Sequence, residues 1–303
     1  MAEPRHFLEI DDLSTEELST VLDRAEAYKC AEANGEDHAD LEGQTLGMIF
    51  QKPSTRTRVS FETGMTQLGG HAVFLGADDI QLGRGEPLKD TSRTLSRYVD
   101  VVMARLFKHD NVEVLAKYSS VPIVNGLTDD AHPCQTLADL LTIREETGGL
   151  DGVSAAWVGD GNNVAQSFVI GAALTDVDLT VATPEGYGID DAVLERARDL
   201  GGDPTTTTDP VDAVADADVV YTDVWTSMGQ EDEYDVRMDA FEGFQVNAEL
   251  LEGAPDASVM HCLPAHRGEE ITDDVIESER SIVFDQAENR LHAQKALLSW
   301  LLE

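Results

Sequence analysis

A small basic segment stands out in an otherwise acidic chain. The stretch QKPSTRTRVSFE carries Lys52, Arg56 and Arg58 among hydroxyl side chains. It follows an apolar run, and Ser54 or Thr55 can cap a helix whose first turn presents free N–H groups and a positive dipole end. Such a helix start with arginines beside it is a site for a dianionic phosphate. An ordinary surface helix is the simpler alternative, and the absence of a Gly-x-x-x-x-Gly-Lys-Ser/Thr pattern excludes a nucleotide P-loop.

Further candidate residues follow other apolar runs. Arg105 comes directly after DVVMA, at the polar end of an apolar segment. His132 and Gln135 are three residues apart at the start of a helical pattern, so they share one helix face and can both hydrogen-bond a ligand. Cys262 follows the run ASVM, and Arg290 stands at the head of the last helical pattern. A covalent role for Cys262 would require a neighbouring base that holds the sulfur as a thiolate.

Cysteine and histidine spacing predicts neither a disulfide framework nor a metal site. The three cysteines, Cys30, Cys134 and Cys262, are odd in number and include no Cys-x-x-Cys pair. His261 and His266 have no third ligand at a suitable spacing. We therefore expect no metal and no cofactor.

The chain as a whole is strongly acidic. Among its 303 residues, 59 are Asp or Glu and 21 are Lys or Arg, which gives a formal net charge of -38. The acids are spread along the sequence, which favours adaptation to molar salt over an acidic surface made for a cationic partner. This charge disfavours nucleic acid as a partner. No apolar run has the length of a membrane span and the N-terminal sequence lacks the order of a secretion signal, so we expect a cytoplasmic protein.

Apolar, β-prone runs alternate with helical patterns along the chain. In the first half the runs are TLGMIF, HAVFL, DVVMARL and VPIVNG, and an early helical pattern opens with Ser14 and Glu17 at the spacing of a capping box. After the glycine-rich GGLDGVS the pattern restarts with SAAWVGD, DLTVATP, ADVVYTDV, ASVMHCLP and SIVFDQA. TTTT at 205–208 is predicted to be a loop. Strands that alternate with helices in this way form parallel sheets.

These patterns predict an α/β fold of two doubly wound parallel-sheet domains with an inter-domain cleft. We place the first domain at residues 1–148, the second at 149–285, and a C-terminal helix at 286–303 that packs back on the first domain. Ligands of such sheets bind beyond the carboxyl ends of the strands, where nearly all of the unusual polar residues lie. Of the 21 basic residues, 14 lie in residues 1–150, which favours an anionic ligand held mainly by the first domain.

The segment PSTRTRVSFE resembles the phosphate-binding segment of the aspartate/ornithine carbamoyltransferase family. Further segments resemble the ornithine-specific members, from about residue 44 to the C-terminus: QLGRGEPLKDTSRTLSRY, HPCQTLADLLTI, WVGDGNNVAQS, DVWTSMGQE, HCLPAHRGEEI and QAENRLHAQKALL. The resemblance implies transfer of the carbamoyl group of carbamoyl phosphate to the side-chain amine of ornithine, a reversible step of arginine metabolism that gives citrulline and phosphate. It also implies a homo-oligomer, a trimer or a multiple of trimers, in which Gln81 reaches the active site of the neighbouring subunit.

The resemblance also assigns roles to individual residues. Carbamoyl phosphate would contact Ser54, Thr55, Arg56, Thr57, Gln81, Arg105, His132, Gln135, Cys262, Leu263 and Arg290. Ornithine would be held by Asn163, Asp223, Ser227 and Met228. The catalytic residues would be Arg105, His132, Cys262 and Arg290. The two arginines and the histidine would stabilise the oxyanion of a tetrahedral intermediate, Cys262 would orient the amine without forming an acyl-enzyme, and the Ser-Met-Gly loop would close to exclude water.

Three alternatives are weighed against this function. WVGDGNNV resembles a dinucleotide-binding turn, but the next strand ends in Thr183 and Pro184 where a dehydrogenase needs an acid, so we reject a dehydrogenase. A non-catalytic relative that binds an anion is disfavoured because every anchor is present, including Cys262 and Arg290. A carbamoyltransferase for putrescine or acetylornithine is the closer alternative, and Asp223 with Ser-Met-Gly fits an unmodified amino acid better.

We predict that the folded chain depends on molar salt. At roughly 1 M ionic strength the screening length falls to about 3 Å, so repulsion among surface carboxylates is largely removed. The midpoint of thermal unfolding, measured in a series of KCl concentrations, should therefore rise steeply from dilute buffer to molar salt. Full stability in dilute buffer would refute the prediction.

Overall fold

The computed structural model describes residues 4–77, 80 and 85–303, so Gln81 lies outside the described residues. The chain forms two compact units. The first comprises Met1–Leu141 and Asn289–Glu303, and the second comprises Thr142–Glu288. Within the described ranges, no helix combines the length and the apolar character that crossing a membrane requires.

The first unit contains a four-stranded parallel sheet in the order β2-β1-β3-β4. Its strands are β1 (Thr45–Phe50), β2 (His71–Gly76), β3 (Val101–Arg105) and β4 (Ile123–Leu127). Its helices are α1 (Thr15–Asn34), α2 (Thr55–Gln67), α3 (Leu88–Leu95), α4 (His109–Tyr118) and α5 (Pro133–Thr147), after a 3-10 turn at Ile10–Asp12. The central strand β3 is buried over its whole length, as expected for an apolar strand in a helix-covered parallel sheet. All four predicted strands of this half are confirmed.

The strand order creates a switch point between β1 and β3. From β1 the chain moves to one side of the sheet to form β2, and β3 then lies on the other side of β1. Phe50 and Arg105, the last residues of the two strands, are partners in the ladder, and Gln51 N–H donates to the carbonyl of Arg105 at 2.9 Å. The basic segment and Arg105 therefore leave the sheet side by side, where ligands of such sheets bind.

The second unit contains a five-stranded parallel sheet in the order β7-β6-β5-β8-β9. Its strands are β5 (Ser154–Val158), β6 (Asp178–Ala182), β7 (Thr205–Thr207), β8 (Val219–Thr222) and β9 (Ser258–His261). Its helices are α6 (Asn163–Thr175), α7 (Asp191–Asp199), α8 (Pro210–Val214), α9 (Tyr234–Ala240), α10 (Asp273–Ile276) and α11 (Val283–Leu301), with 3-10 turns at Glu231–Glu233 and Leu250–Gly253. Here the switch point lies between β5 and β8, which are neighbours in the sheet. The doubly wound α/β class is confirmed in both units.

Two local predictions were wrong. The threonines predicted as a loop form the edge strand β7, which pairs with β6 from Thr205 to Thr207. Threonine is β-branched and polar, so it suits a solvent-facing edge strand. The run SIVFDQA is not a strand: Ser281 makes a single bridge to Val259, and α11 begins at Val283.

The last helix, α11, begins in the second unit, and its residues from Asn289 onward belong to the first. There it packs on α1, where Lys29 Nζ donates to Asn289 Oδ1 at 2.8 Å and Arg24 donates to Ser299 Oγ at 2.9 Å. Leu297 is completely buried. The predicted return of the C-terminal helix to the first unit is confirmed.

Candidate active site

The predicted phosphate segment forms the start of α2. Ser54 is the N-cap, as predicted, and its Oγ accepts from the N–H of Thr57 at 3.2 Å. The Oγ of Ser54 also lies 3.1 Å from Oγ1 of Thr57, so the two hydroxyls are adjacent. Thr55 and Arg56 lie in the first turn, where a helix presents backbone N–H groups and its positive dipole end. The carboxyl end of β1 is therefore followed by a helix start of the kind that suits an anion.

Arg290 of α11 connects this helix start to α5. Its Nη1 donates to Oε1 of Gln135 at 2.7 Å, and its Nη2 donates to Oγ1 of Thr57 at 3.3 Å. The amide of Gln135 is held in turn by Asp139, one helical turn later, which accepts from its Nε2 at 2.8 Å. Arg290 and Gln135 are both buried. The guanidinium and the amide are thus fixed by protein contacts.

His132 is a buried neutral base among cations. Burial lowers the pKa of His132 well below 6.5, and the positive charges of Arg290, Arg105, Arg56 and Lys52 lower it further. The imidazole is therefore neutral at pH 7, so one ring nitrogen can donate and the other can accept. Four cations act on this one side chain, and all of them belong to the first unit.

Lys52 belongs to this group of cations, although its position in the sequence predicted no individual role for it. It is buried and forms an ion pair with Asp129, and its Nζ lies 4.8 Å from the centre of the Phe107 ring. A buried ammonium requires such partners. The sequence signal that could have found it is its place in the basic segment, directly after β1.

Asp223 is the centre of the second group of candidate residues. It follows β8, at the switch point of the second sheet, and is buried. Asn162 Nδ2 donates to its Oδ2 at 2.8 Å, and the thiol of Cys262 donates to its Oδ1 at 3.0 Å. Asn163 is the first residue of α6, directly after Asn162, the N-cap of that helix. Both strand ends of the switch point thus contribute to one polar cluster.

The remaining candidates of the second unit lie close by in the chain. Leu263 follows Cys262, and its N–H donates to Nδ1 of His261 at 2.8 Å. The N–H of Ser227 donates to Oε1 of Gln230 at 2.9 Å, and Met228 is exposed. An exposed methionine beside a glycine is suited to a loop that moves.

The environment of Cys262 argues against a covalent nucleophile. A thiol that donates a hydrogen bond to a carboxylate is protonated, whereas the nucleophile is the thiolate. Asp223, His261 and Cys262 have ligand atoms within 4.8 Å of one another, which is close enough for a metal ion. Both ring nitrogens of His261 are used, however, because Nδ1 accepts from Leu263 and Nε2 contacts Glu270 at 2.9 Å. The cluster is thus arranged for hydrogen bonding.

The turn after β5 requires glycine at position 161. Its N–H donates to the carbonyl of Tyr187 at 2.9 Å, and a Cβ on Gly161 would lie 2.5 Å from the backbone of Gly188. No side chain fits in that space. The close approach sets the path of the chain into Asn162 and so the position of the amide that contacts Asp223.

Sequence reasoning did not find Arg237 of α9. This buried arginine donates to Oδ2 of Asp160 at 3.0 Å and to the carbonyl of Trp225 at 2.9 Å. Burial raises the pKa of Asp160 to about 6, although the charge of Arg237 opposes the shift. Asp160 precedes Asn163, and Trp225 precedes Ser227, so Arg237 ties together the two segments that carry these residues. Nothing in the local sequence DVRMDA distinguishes a buried arginine from an exposed one.

Cys134 has the packing role expected of it. It is buried and its thiol donates to the carbonyl of Asn125 at 3.3 Å, and burial raises the pKa of the thiol to about 12.

The first unit brings together the predicted residues that surround Thr57, His132 and Arg290. The second unit brings Cys262 to Asp223.

Comparisons with known proteins match both units. Residues 5–145 match the family described as "Aspartate/ornithine carbamoyltransferase, carbamoyl-P binding domain", and residues 151–301 match "Aspartate/ornithine carbamoyltransferase, Asp/Orn binding domain". The chain is 66% identical to the ornithine carbamoyltransferase of Haloquadratum walsbyi, over 100% of this chain and 99% of that protein. It is 55% identical to the anabolic ornithine carbamoyltransferase of Pyrococcus furiosus, over 98% and 96% of the two chains.

Solved structures agree with the sequence comparisons. The structure of ornithine carbamoyltransferase from Pyrococcus furiosus superposes with a TM-score of 0.94 and covers 98% of this chain and 96% of that one, at 55% identity. The structure of the enzyme from Thermus thermophilus gives a TM-score of 0.90 at 44% identity and covers 100% of both chains.

The neutral state of His132 predicts how stability depends on pH. Because its pKa is lowered in the folded state, His132 contributes stability that is complete above about pH 6.5 and is lost as the pH falls further. We therefore expect the free energy of unfolding, measured with urea in molar KCl, to decrease as the pH is lowered from 6.5 to 5. The decrease per pH unit should be larger in the wild type than in His132→Gln, by up to about 1.4 kcal/mol. Equal slopes in the two proteins would mean that His132 is not held neutral.

Proposed function

The chain belongs to the aspartate/ornithine carbamoyltransferase family, and from this premise we propose that it transfers the carbamoyl group of carbamoyl phosphate to the side-chain amine of L-ornithine, giving L-citrulline and phosphate. The observation that carries the proposal is the neutral His132, on which three arginines and Lys52 act beside the start of α2. These groups match a ligand that combines a dianionic phosphate with a polar carbonyl. Relatives named anabolic support a role in arginine synthesis.

The phosphate is bound by the start of α2. Ser54, Thr55 and Thr57 offer hydroxyls and first-turn N–H groups, and Arg56 adds a charge-assisted donor. The hydroxyls of Ser54 and Thr57 are already adjacent, which lowers the entropy lost on binding. Arg105 leaves the neighbouring strand end and serves both the phosphate and the carbonyl.

The carbamoyl group is bound by donors for its oxygen and acceptors for its amide. Arg105, His132 and Arg290 donate to the carbonyl oxygen. Gln135 accepts one hydrogen bond from Arg290 through Oε1, and the second lone pair of that oxygen accepts from the carbamoyl amide. The N–H of Leu263 is already used by His261, so only its carbonyl is left to contact the same amide.

The amino-acid end of ornithine is bound by residues of the second unit. Asp223 carries the charge that suits the α-ammonium, and Asn163 and Ser227 suit the α-carboxylate, with the N–H of Met228 as a further donor. Cys262, which contacts Asp223, orients the side-chain amine. Asn163 and Ser227 distinguish ornithine from putrescine, which has no α-carboxylate, and Asp223 distinguishes it from acetylornithine, whose acetylated amine carries no charge.

The reaction follows from these positions. The lone pair of the neutral amine attacks the carbamoyl carbon, and the carbonyl oxygen gains negative charge. Arg105, His132 and Arg290 stabilise this oxyanion, where each fixed donor is worth about 3 kcal/mol. The bond between carbon and the phosphate oxygen then breaks, and the proton lost by the amine leaves with phosphate or solvent. Arg56 holds the leaving group as its charge develops.

We further propose that the protein works in the cytoplasm as a homo-oligomer built from trimers, with Gln81 shared across subunits. A pocket of about 590 Å³, lined by Ser54, Thr55, Arg58 and Phe74, lies beside the phosphate segment. The pocket leaves room beside the phosphate segment for a residue from another chain.

Mixing two inactive variants tests the sharing of Gln81. Subunits of Gln81→Ala and Arg56→Ala, refolded together in equal amounts, should regain activity in about a quarter of the sites, because those sites combine an intact Arg56 with an intact Gln81 from the neighbour. Each variant refolded alone is the control. If the mixture is no more active than the separate variants, Gln81 does not act across subunits.

A substrate panel in molar KCl tests the function itself. Ornithine with carbamoyl phosphate should give citrulline, whereas putrescine, acetylornithine and aspartate should give little product. Arg56→Ala should lower kcat/KM for carbamoyl phosphate by about 100-fold or more, because it removes a donor to the leaving phosphate. Arg5→Ala is the matched control, since Arg5 is an exposed arginine paired with Glu17. Equal activity in the two variants would remove the phosphate assignment, and preference for another amine would remove the ornithine assignment.

A further inference from the structure

A buried His–Glu pair lies directly behind Cys262 and Leu263. The side chains of His261 and Glu270 are both completely buried, and Nε2 of His261 lies 2.9 Å from Oε1 of Glu270. Neither residue is among the candidate substrate contacts named above. A buried carboxylate beside a buried imidazole costs desolvation energy unless the pair is fully hydrogen-bonded, so its presence calls for a structural or functional reason.

The hydrogen bonds determine which nitrogen of His261 carries the proton. The backbone N–H of Leu263 points to Nδ1 at 2.8 Å, and an N–H group can only donate, so Nδ1 accepts. The proton of the neutral ring is therefore on Nε2, which donates to the carboxylate of Glu270. The same Oε1 of Glu270 accepts from the N–H of His266 at 2.7 Å. Glu270 thus selects the tautomer that can hold Leu263.

The contact holds a backbone that is otherwise unfavourable. Leu263 has φ of 57°, in the left-handed region that residues with a Cβ rarely adopt. Such a conformation costs free energy and persists where surrounding contacts determine it. The hydrogen bond from Leu263 to Nδ1 is a contact of this kind. The backbone of His261 is held as well, because its N–H donates to Oε1 of Gln286 at 2.9 Å.

We propose that His261 and Glu270 are positioning residues for the transfer step: the Glu270 carboxylate fixes the Nε2–H tautomer of His261, whose Nδ1 holds the backbone of Leu263 so that its carbonyl and the thiol of Cys262 face the reacting groups. The proposal rests on the function proposed above. A misplacement of about 1 Å at a reacting centre can cost about 100-fold in rate, so a lost positioning contact should appear in kcat.

Two substitutions of His261 separate the roles of its nitrogens. Asparagine places an amide oxygen close to the position of Nδ1, so His261→Asn keeps an acceptor for Leu263. Glutamine reaches towards Glu270 and places its amide close to Nε2, so His261→Gln keeps the donor to Glu270 and leaves Leu263 without its acceptor. His266→Gln is the matched control, since His266 is an exposed histidine of the same segment.

The kinetic result expected is a difference between the two variants. His261→Gln should lose about 100-fold in kcat with a change of less than about threefold in KM for carbamoyl phosphate, whose phosphate is held by the first unit. His261→Asn should recover most of that loss at a similar unfolding midpoint, and His266→Gln should match the wild type. Equal kcat in the two His261 variants, or activity lost only in proportion to folded protein, would overturn the proposal.

A spectroscopic measurement on the wild type keeps the test independent of the function. Long-range nitrogen–proton NMR spectra of the imidazoles, recorded without substrates, should show His261 as the Nε2–H tautomer. Observation of the Nδ1–H tautomer would overturn the proposal even if citrulline forms. If the wild type makes no citrulline while His261 shows the expected tautomer, the proposed function fails and the geometry of the pair stands.

Discussion

Positive charge held at the carboxyl ends of β1 and β3 is the constraint on which the rest of the structure depends. A chain with net charge -38 must bind a dianion, so a few cations are placed where a helix start adds its own positive field. Arg56, Arg105 and Arg290 come from three different elements and all act on His132. Lys52, the fourth cation, is paired with Asp129, and the imidazole of His132 stays neutral, so neither adds to the repulsion among the arginines.

The strand order of each sheet determines where the candidate site residues come together. Parallel strands end at one edge of a sheet, and a switch in strand order opens space there for a ligand. In the first unit this edge carries the phosphate segment beside Arg105. In the second unit the turn after β5 meets the turn after β8, and Asn162 contacts Asp223 across 61 residues of chain. The same arrangement thus occurs in both units, with cations gathered in the first and a buried carboxylate, Asp223, in the second.

The sequence predicted most of the fold, because alternating β-prone runs and capped helices are local signals. The capping box of Ser14 and Glu17 and the N-cap at Ser54 are confirmed for that reason. Local signals failed at the edge strand β7 and at the start of α11, where apolarity or polarity alone does not decide the structure. The candidate site residues that lie within motifs could be proposed from sequence. Their supporting partners, Arg237 and Glu270, could not, since their roles depend on contacts made only in the folded chain.

A crystal structure of the protein soaked with carbamoyl phosphate in molar KCl would show directly whether the gathered cations bind the dianion. We expect phosphate oxygens within hydrogen-bond distance of the first-turn N–H groups of α2 and of Arg56, with the carbonyl oxygen facing Arg105, His132 and Arg290. Carbamoyl phosphate bound elsewhere, with these residues unchanged from the unliganded protein, would contradict it.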